Sequence, residues 1–139
     1  YIEAIHFIIT ERSVIRDLPA AKWQRMGRIV EAAMKQSGRT APLRLEKPRA
    51  MEAALRGLDN SRHFIFLERD AAPNLKTILA AGNRPPPYGL WIGPEGGWSQ
   101  AEAAMATAAG CTGATLGPLI LRAPTAALHA ISSLVALTE

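Results

Sequence analysis

Residues 88–102 read YGLWIGPEGGWSQAE, and this stretch decides the fold. Tyr88 to Ile92 is a short apolar run suited to a buried strand. Gly93 to Gly97 places three glycines in five residues, too many for a strand or helix interior. Ser99 begins a helix, and Glu102, three residues on, completes a capping box. Strand, glycine-rich loop and capped helix in direct succession form the repeating unit of a parallel sheet.

Further units of that kind lie on both sides of it. Upstream, Ala4 to Thr10 (AIHFIIT) reads as a strand. Pro19 then opens a helix with Trp23, Met26, Ile29, Val30, Ala33 and Met34 on one face, and Gly38 closes it. A short strand over Leu43 to Leu45, a helix over Arg49 to Leu58 and the strand HFIFL over His63 to Leu67 follow. Next come a helix over Leu75 to Ala81 and a proline-rich turn, Arg84 to Pro87. Downstream, Thr112 to Leu116 is a weaker strand and Gly117 to Ala123 a loop. Pro124 suits the first turn of a last helix reaching Leu137. Strand and helix alternate about five times, which predicts an α/β fold: a parallel sheet with helices on both faces. The 139 residues are one domain's worth of chain, 48% apolar and 20% charged, long enough for a proper core.

Charge is unevenly spread. Residues 1–62 hold twelve Lys/Arg against seven Asp/Glu, while residues 63–139 hold four against five. A basic half points to a polyanion partner, with an arginine-rich solvated surface as the alternative reading. Lys22, Arg25 and Arg28 recur every third residue on the first helix and would form one stripe. A single cysteine, Cys111, excludes an internal disulfide and a four-thiolate zinc site, and with no signal-like start it suggests the cytoplasm. No apolar run approaches a membrane span.

In open α/β sheets ligands bind at the carboxyl ends of strands. Three loops qualify. The Gly93–Gly97 loop leads to a helix N-terminus, yet it lacks the Gly-Lys-Ser/Thr of a P-loop and the spacing of a dinucleotide fingerprint. The loop over residues 116–122 (LGPLILR) is apolar apart from Arg122, which suits a loop wrapped round a ligand or another segment. The loop from Glu68 to Pro73 is the third. His6, His63 and His129 lack metal-ligand spacing, and the first two read as structural residues within strands. Cys111 suits a buried apolar role. Trp23, Trp91 and Trp98 read as core or interface residues, and no serine sits in a nucleophile elbow.

The run from Trp91 to Ser99 with Glu102, then Leu116-Gly117-Pro118, Ile120-Leu121-Arg122 and Thr125-Ala126, resembles the 16S ribosomal RNA uracil-N3 methyltransferase family. So do Glu11-Arg12-Ser13, Trp23 and Arg25, Glu31-Ala32, and Gln36 to Arg39 (QSGR). The resemblance covers nearly the whole chain, and the QSGR and GPEGG combination separates it from related enzymes acting on transfer RNA. It implies a SPOUT-class α/β domain with a C-terminal trefoil knot, and S-adenosylmethionine held by the three loops. The expected cofactor residues are Leu67, Glu68, Ile92, Gly93, Pro94, Gly97, Leu116, Gly117, Ile120, Leu121, Arg122 and Ala126. It also implies a homodimer, 16S rRNA as partner and no metal. A PUA-like RNA-binding domain and the first strand and helix of the knotted domain usually precede this segment, so a chain truncated at its N-terminus is expected. Leu119 stands where arginine is common, and Ala123-Pro124 where an acidic residue is common.

Uridine N3 must lose its proton as it attacks, so positive charge near the uracil carbonyls would stabilise the developing anion. Arg39 is the first candidate, with a phosphate contact as its other possible role. Glu95 is the candidate carboxylate for a base or for cofactor orientation, or it satisfies N–H groups of its own loop. Arg12, Arg25 and Arg28 are the candidate RNA contacts. The competing reading is a non-catalytic RNA-binding or ribosome-assembly module that retains the fold.

Overall fold

The computed structural model describes residues 2–14, 16–59, 61–68, 72–82 and 87–138. In chain order the elements are β1 (Ala4–Ile9), α1 (Ala20–Ser37), β2 (Arg44–Ala50), α2 (Met51–Arg56), β3 (Arg62–Phe66), α3 (Leu75–Ala80), β4 (Tyr88–Trp91), α4 (Gln100–Ala108), β5 (Thr112–Ala114) and α5 (Ala123–Thr138). Strand and helix alternate as expected, and every strand pair is parallel. The strands form two sheets rather than one: β1 pairs with β2, and β4, β3 and β5 form a separate sheet in that spatial order. The expected turn over Arg84–Pro87 falls mostly outside the described residues.

The central strand β3 explains why HFIFL is apolar without alternation. Phe64 and Phe66 pack on one face against Leu75 of α3 and Ala130 and Leu134 of α5. Ile65 packs on the other face against Met51 and Leu55 of α2, Ala106 of α4 and Cys111. Both faces are covered, so Phe64, Ile65 and Phe66 are apolar in succession. Phe64 and Ile65 are fully buried. Burial pushes the Cys111 thiol up to about 11, consistent with its expected apolar role.

β2 runs from Arg44 to Ala50, longer than the Leu43–Leu45 strand expected, and takes the first two residues of the expected second helix. Its pairing slips: His6 lies opposite Glu46 but Ile8 opposite Arg49. Pro48 lies in the slipped segment and has no N–H for the ladder, which suits a bulge. α1 ends on Gly38 at φ 67, and the Gly38 and Arg39 N–H groups bond back to Lys35 and Met34, a Schellman closure.

Between β3 and β4, Trp91 Nε1 donates to His63 Nδ1 at 3.2 Å, and His63 Nε2 lies 3.1 Å from Asp59 Oδ1. Indole N–H can only donate, so His63 Nδ1 is the acceptor and the ring proton sits on Nε2. Any side chain at Gly89 would collide with this imidazole. His63 is thus a structural tie between β3 and β4.

Candidate cofactor cleft

The chain passes from β4 on one side of β3 to β5 on the other. The loops leaving β4 and β5 therefore part over the carboxyl end of β3 and open a crevice there. The cleft measures about 630 Å³, its open mouth included. Phe66, Leu67 and Glu68 line it after β3, Ile92 to Glu95, Gly97 and Trp98 after β4, and Leu116, Gly117 and Leu119 to Leu121 after β5. Ala123 and Ala126 of α5 complete the wall.

Short contacts hold the loops in this arrangement. Trp98 Nε1 donates to the Phe66 carbonyl at 3.0 Å, tying the β4 loop to the end of β3. A Cβ on Gly93 would stand 3.2 Å from that indole nitrogen. Gly97 adopts φ +69, and a Cβ there would stand 2.9 Å from Glu68 Oε1. A Cβ at Gly93 would thus crowd the indole, and Gly97 is favoured chiefly by its left-handed backbone. Gly117, at φ +123, has no heavy atom within 4 Å of where its Cβ would lie. α4 begins on the expected capping box: Ser99 Oγ accepts from Glu102 N–H at 3.2 Å, and Glu102 Oε2 from Ser99 N–H at 2.9 Å. Glu102 is buried, and its Oε1 accepts from Glu11 N–H at 2.7 Å. Sequence reasoning identified the box but not this second use of the carboxylate, because its partner is 91 residues away.

The expected site residues divide clearly. Of the twelve expected cofactor residues, all but Arg122 line the cleft, and so does Glu95. Arg122 is exposed beside it, and its carbonyl accepts the first-turn N–H of Ala126 at 2.8 Å. Phe66, Trp98, Leu119 and Ala123 also line the cleft without having been named for it; for Trp98 the available signal was an aromatic directly after Gly96-Gly97. Arg39 is not among the lining residues, and its Nε donates to the Ala41 carbonyl at 2.6 Å in its own loop. Arg25 and Arg28 are exposed on α1. Arg12 reaches the glycine loop, donating to the Gly96 carbonyl at 2.8 Å.

The electrostatic character of the cleft runs against that of the chain. The protein carries +4 overall, yet among the described residues the ionisable ones lining the cleft are Glu68 and Glu95. Such a pocket suits a ligand with positive charge and an apolar body. Among the described residues no group of three or more His, Cys, Asp or Glu is placed to hold a metal, and no helix is long and apolar enough to cross a membrane.

Parallel strands whose outgoing loops converge on one cleft define an α/β ligand-binding domain. The chain belongs to the RNA methyltransferase domain family, whose model matches residues 2–135. It is 33% identical over 142 residues to ribosomal RNA small subunit methyltransferase E of Synechocystis, covering 95% of this chain and 44% of that protein. The ribosomal RNA small subunit methyltransferase E of Neisseria gonorrhoeae, solved with S-adenosylmethionine bound, superposes with a TM-score of 0.84 at 31% identity. That match covers 97% of this chain and 55% of the other. A Legionella pneumophila chain described as a methyltransferase, also solved with S-adenosylmethionine, gives 0.79 at 26% identity over 97% of this chain and 64% of its own. The chain thus spans between 44% and 64% of the length of these relatives.

Proposed function

We propose that this cleft holds S-adenosylmethionine and that the domain transfers a methyl group to N3 of a uridine in 16S ribosomal RNA. One observation carries the reading: a glycine-edged cleft whose charged lining, among the described residues, is two carboxylates, within a basic protein. The bound cofactor would supply an electrophilic methyl on a sulfonium. Glu68 and Glu95 provide the negative field and the hydrogen-bond acceptors that a cationic ligand needs. The apolar stretch Leu116 to Leu121 provides the wall for a flat aromatic ring, and Gly93 and Gly97 leave the backbone open to close approach. Both relatives solved with this cofactor share the fold over nearly the full length of this chain.

The protein's own part in the reaction is largely positioning, which can supply much of the acceleration without a dedicated base. Arg39 is the proposed cation for the uracil carbonyls. Since it does not line the cleft of its own chain, this role requires a second copy to bring it over the partner's cleft. The outer face of α5 suits such pairing, with Leu128 68% and Val135 45% exposed. Lys22, Arg25 and Arg28 form the proposed phosphate-binding stripe on α1. The C-terminal trefoil knot and a cytoplasmic location belong to the same reading.

Calorimetric titration with S-adenosylmethionine tests the cofactor assignment. Saturable binding that Gly93→Val abolishes in a folded variant supports it; a folded wild-type chain with no binding overturns it and favours the RNA-binding module. Methylation of 16S rRNA, mapped to the modified nitrogen, tests the substrate. Sedimentation at tens of micromolar should give twice the monomer mass.

A further inference from the structure

The turn after β1 lies against the outer side of the glycine loop, and its contacts are selective. Arg12 Nη1 donates to the Gly96 carbonyl at 2.8 Å and, more weakly, to the Trp98 carbonyl at 3.4 Å. The aliphatic stem lies flat on the loop: a Cβ on Gly96 would stand 3.1 Å from Arg12 Cβ and 3.3 Å from its Cδ. Next to it, Glu11 N–H donates to buried Glu102 Oε1.

In a trans peptide the C=O of one residue and the N–H of the next point in opposite directions across a single plane. In the 96–97 peptide, Arg12 holds the oxygen, and the Gly97 N–H donates to the Pro94 carbonyl at 2.8 Å. In the 98–99 peptide, Arg12 again holds the oxygen, while the Ser99 N–H donates to Glu102 Oε2. Both planes are gripped at both ends, and they bracket the one residue of the loop with positive φ, Gly97. A Gly-Gly pair has little intrinsic preference for one peptide orientation. Without the grip, the 96–97 plane is held only by its Gly97 N–H bond to Pro94, and Gly97 leaves its backbone conformation beside Glu68 more readily.

We infer that Arg12 is a positioning residue for the cofactor loop: it sets the orientation of the 96–97 and 98–99 peptides from outside the cleft. It thereby couples the N-terminal sheet to the ligand site. The inference rests on the proposed cofactor reading for its effect on binding, but not for its effect on the loop.

The test compares Arg12→Ala and Arg12→Lys with Arg56→Ala, which removes an equal charge from an exposed position at the end of α2. In the ligand-free chain, Arg12→Ala should raise amide exchange at Gly97 by about tenfold, the scale of one charge-assisted hydrogen bond. Arg56→Ala should leave it unchanged. S-adenosylmethionine affinity should fall by about tenfold in Arg12→Ala. Arg12→Lys, which can satisfy one carbonyl but not both, should be intermediate in both readouts. The slope of RNA affinity against salt should match that of wild type. Unchanged Gly97 exchange in Arg12→Ala, with a salt slope lowered by about one unit, would make Arg12 a phosphate contact and overturn the inference. If the wild-type chain binds no cofactor, the functional reading fails while the exchange measurement still decides the role of Arg12.

Discussion

The two parallel sheets obey one connection rule yet are packed very differently. In the three-stranded sheet Phe64 and Ile65 are fully buried, because β3 has a strand on each side and helices on both faces. In the two-stranded sheet each strand has one neighbour, and Thr10 is the single buried residue among those described up to Ala50. α1 runs for 18 residues without burying one of them, and Ile29 on its apolar face stays 56% exposed. Its support is local: the Schellman closure, a Glu31–Lys35 ion pair at 2.7 Å and the edge-on packing of Trp23 against Phe7 at 6.0 Å. The exposed ion pair adds little. The better-packed sheet carries the cleft, and the thinner one reaches that cleft through the 10–13 turn.

The sharpest way to expose this contrast is truncation on each side. Phe64→Ala should cost about 3–5 kcal/mol, seen as a lower denaturant midpoint. Ile29→Ala should cost under about 0.5 kcal/mol. Similar costs at the two sites would refute the division into a firm and a thin sheet.

The joint between the halves comes next in size. Glu102→Ala removes the acceptor for both the Ser99 and Glu11 N–H groups, and should cost about 2–3 kcal/mol in the same measurement. It should also speed amide exchange around residues 10–13, because one carboxylate holds the α4 start and that turn together. Loss of stability with unchanged exchange at 10–13 would reduce Glu102 to a helix cap alone.

Within the thin half, Trp23→Ala should cost about 1–2 kcal/mol. Hydrogen exchange should speed along α1 and β1 while the β3 amides keep their protection. Equal acceleration in β3 would mean that the two sheets open as a single unit.

The smallest effect concerns pH. Partial burial, and then the Arg49 guanidinium, hold His6 below the usual imidazole range; Arg49 Nη2 lies 3.2 Å from His6 Nδ1. The unfolded chain then binds the proton more readily, so this contribution to stability is full above about pH 6.5 and declines as the pH falls below it. Because His6 is exposed, the decline should be slight. An NMR titration should place the His6 midpoint below the usual value, and Arg49→Ala should raise it. A midpoint that ignores Arg49 would remove that guanidinium from the causes of the shift.

The features legible in the sequence are those written within a few residues. The apolar run HFIFL identified a strand, and the alternation of strand and helix identified a sheet covered on both faces. Ser99 and Glu102 identified the start of α4, and Gly38 the end of α1, since capping bonds span three to five positions. The glycine loop and the apolar 116–121 stretch marked the cleft walls, because close approach and solvent exposure restrict residue type directly. Tertiary structure decided the rest. Backbone ladder bonds carry no side-chain identity, so nothing in the sequence fixed β5 beside β3 rather than β4, or separated β1 and β2 into their own sheet. β2 continues past Leu45 through Pro48, because at a bulge in a two-stranded sheet a proline is tolerated. Arg12 is a candidate RNA contact by its charge, and its contacts to carbonyls 84 and 86 residues away are set only by the folded chain. A carbonyl is present in every residue, so only the folded chain determines which ones an arginine meets.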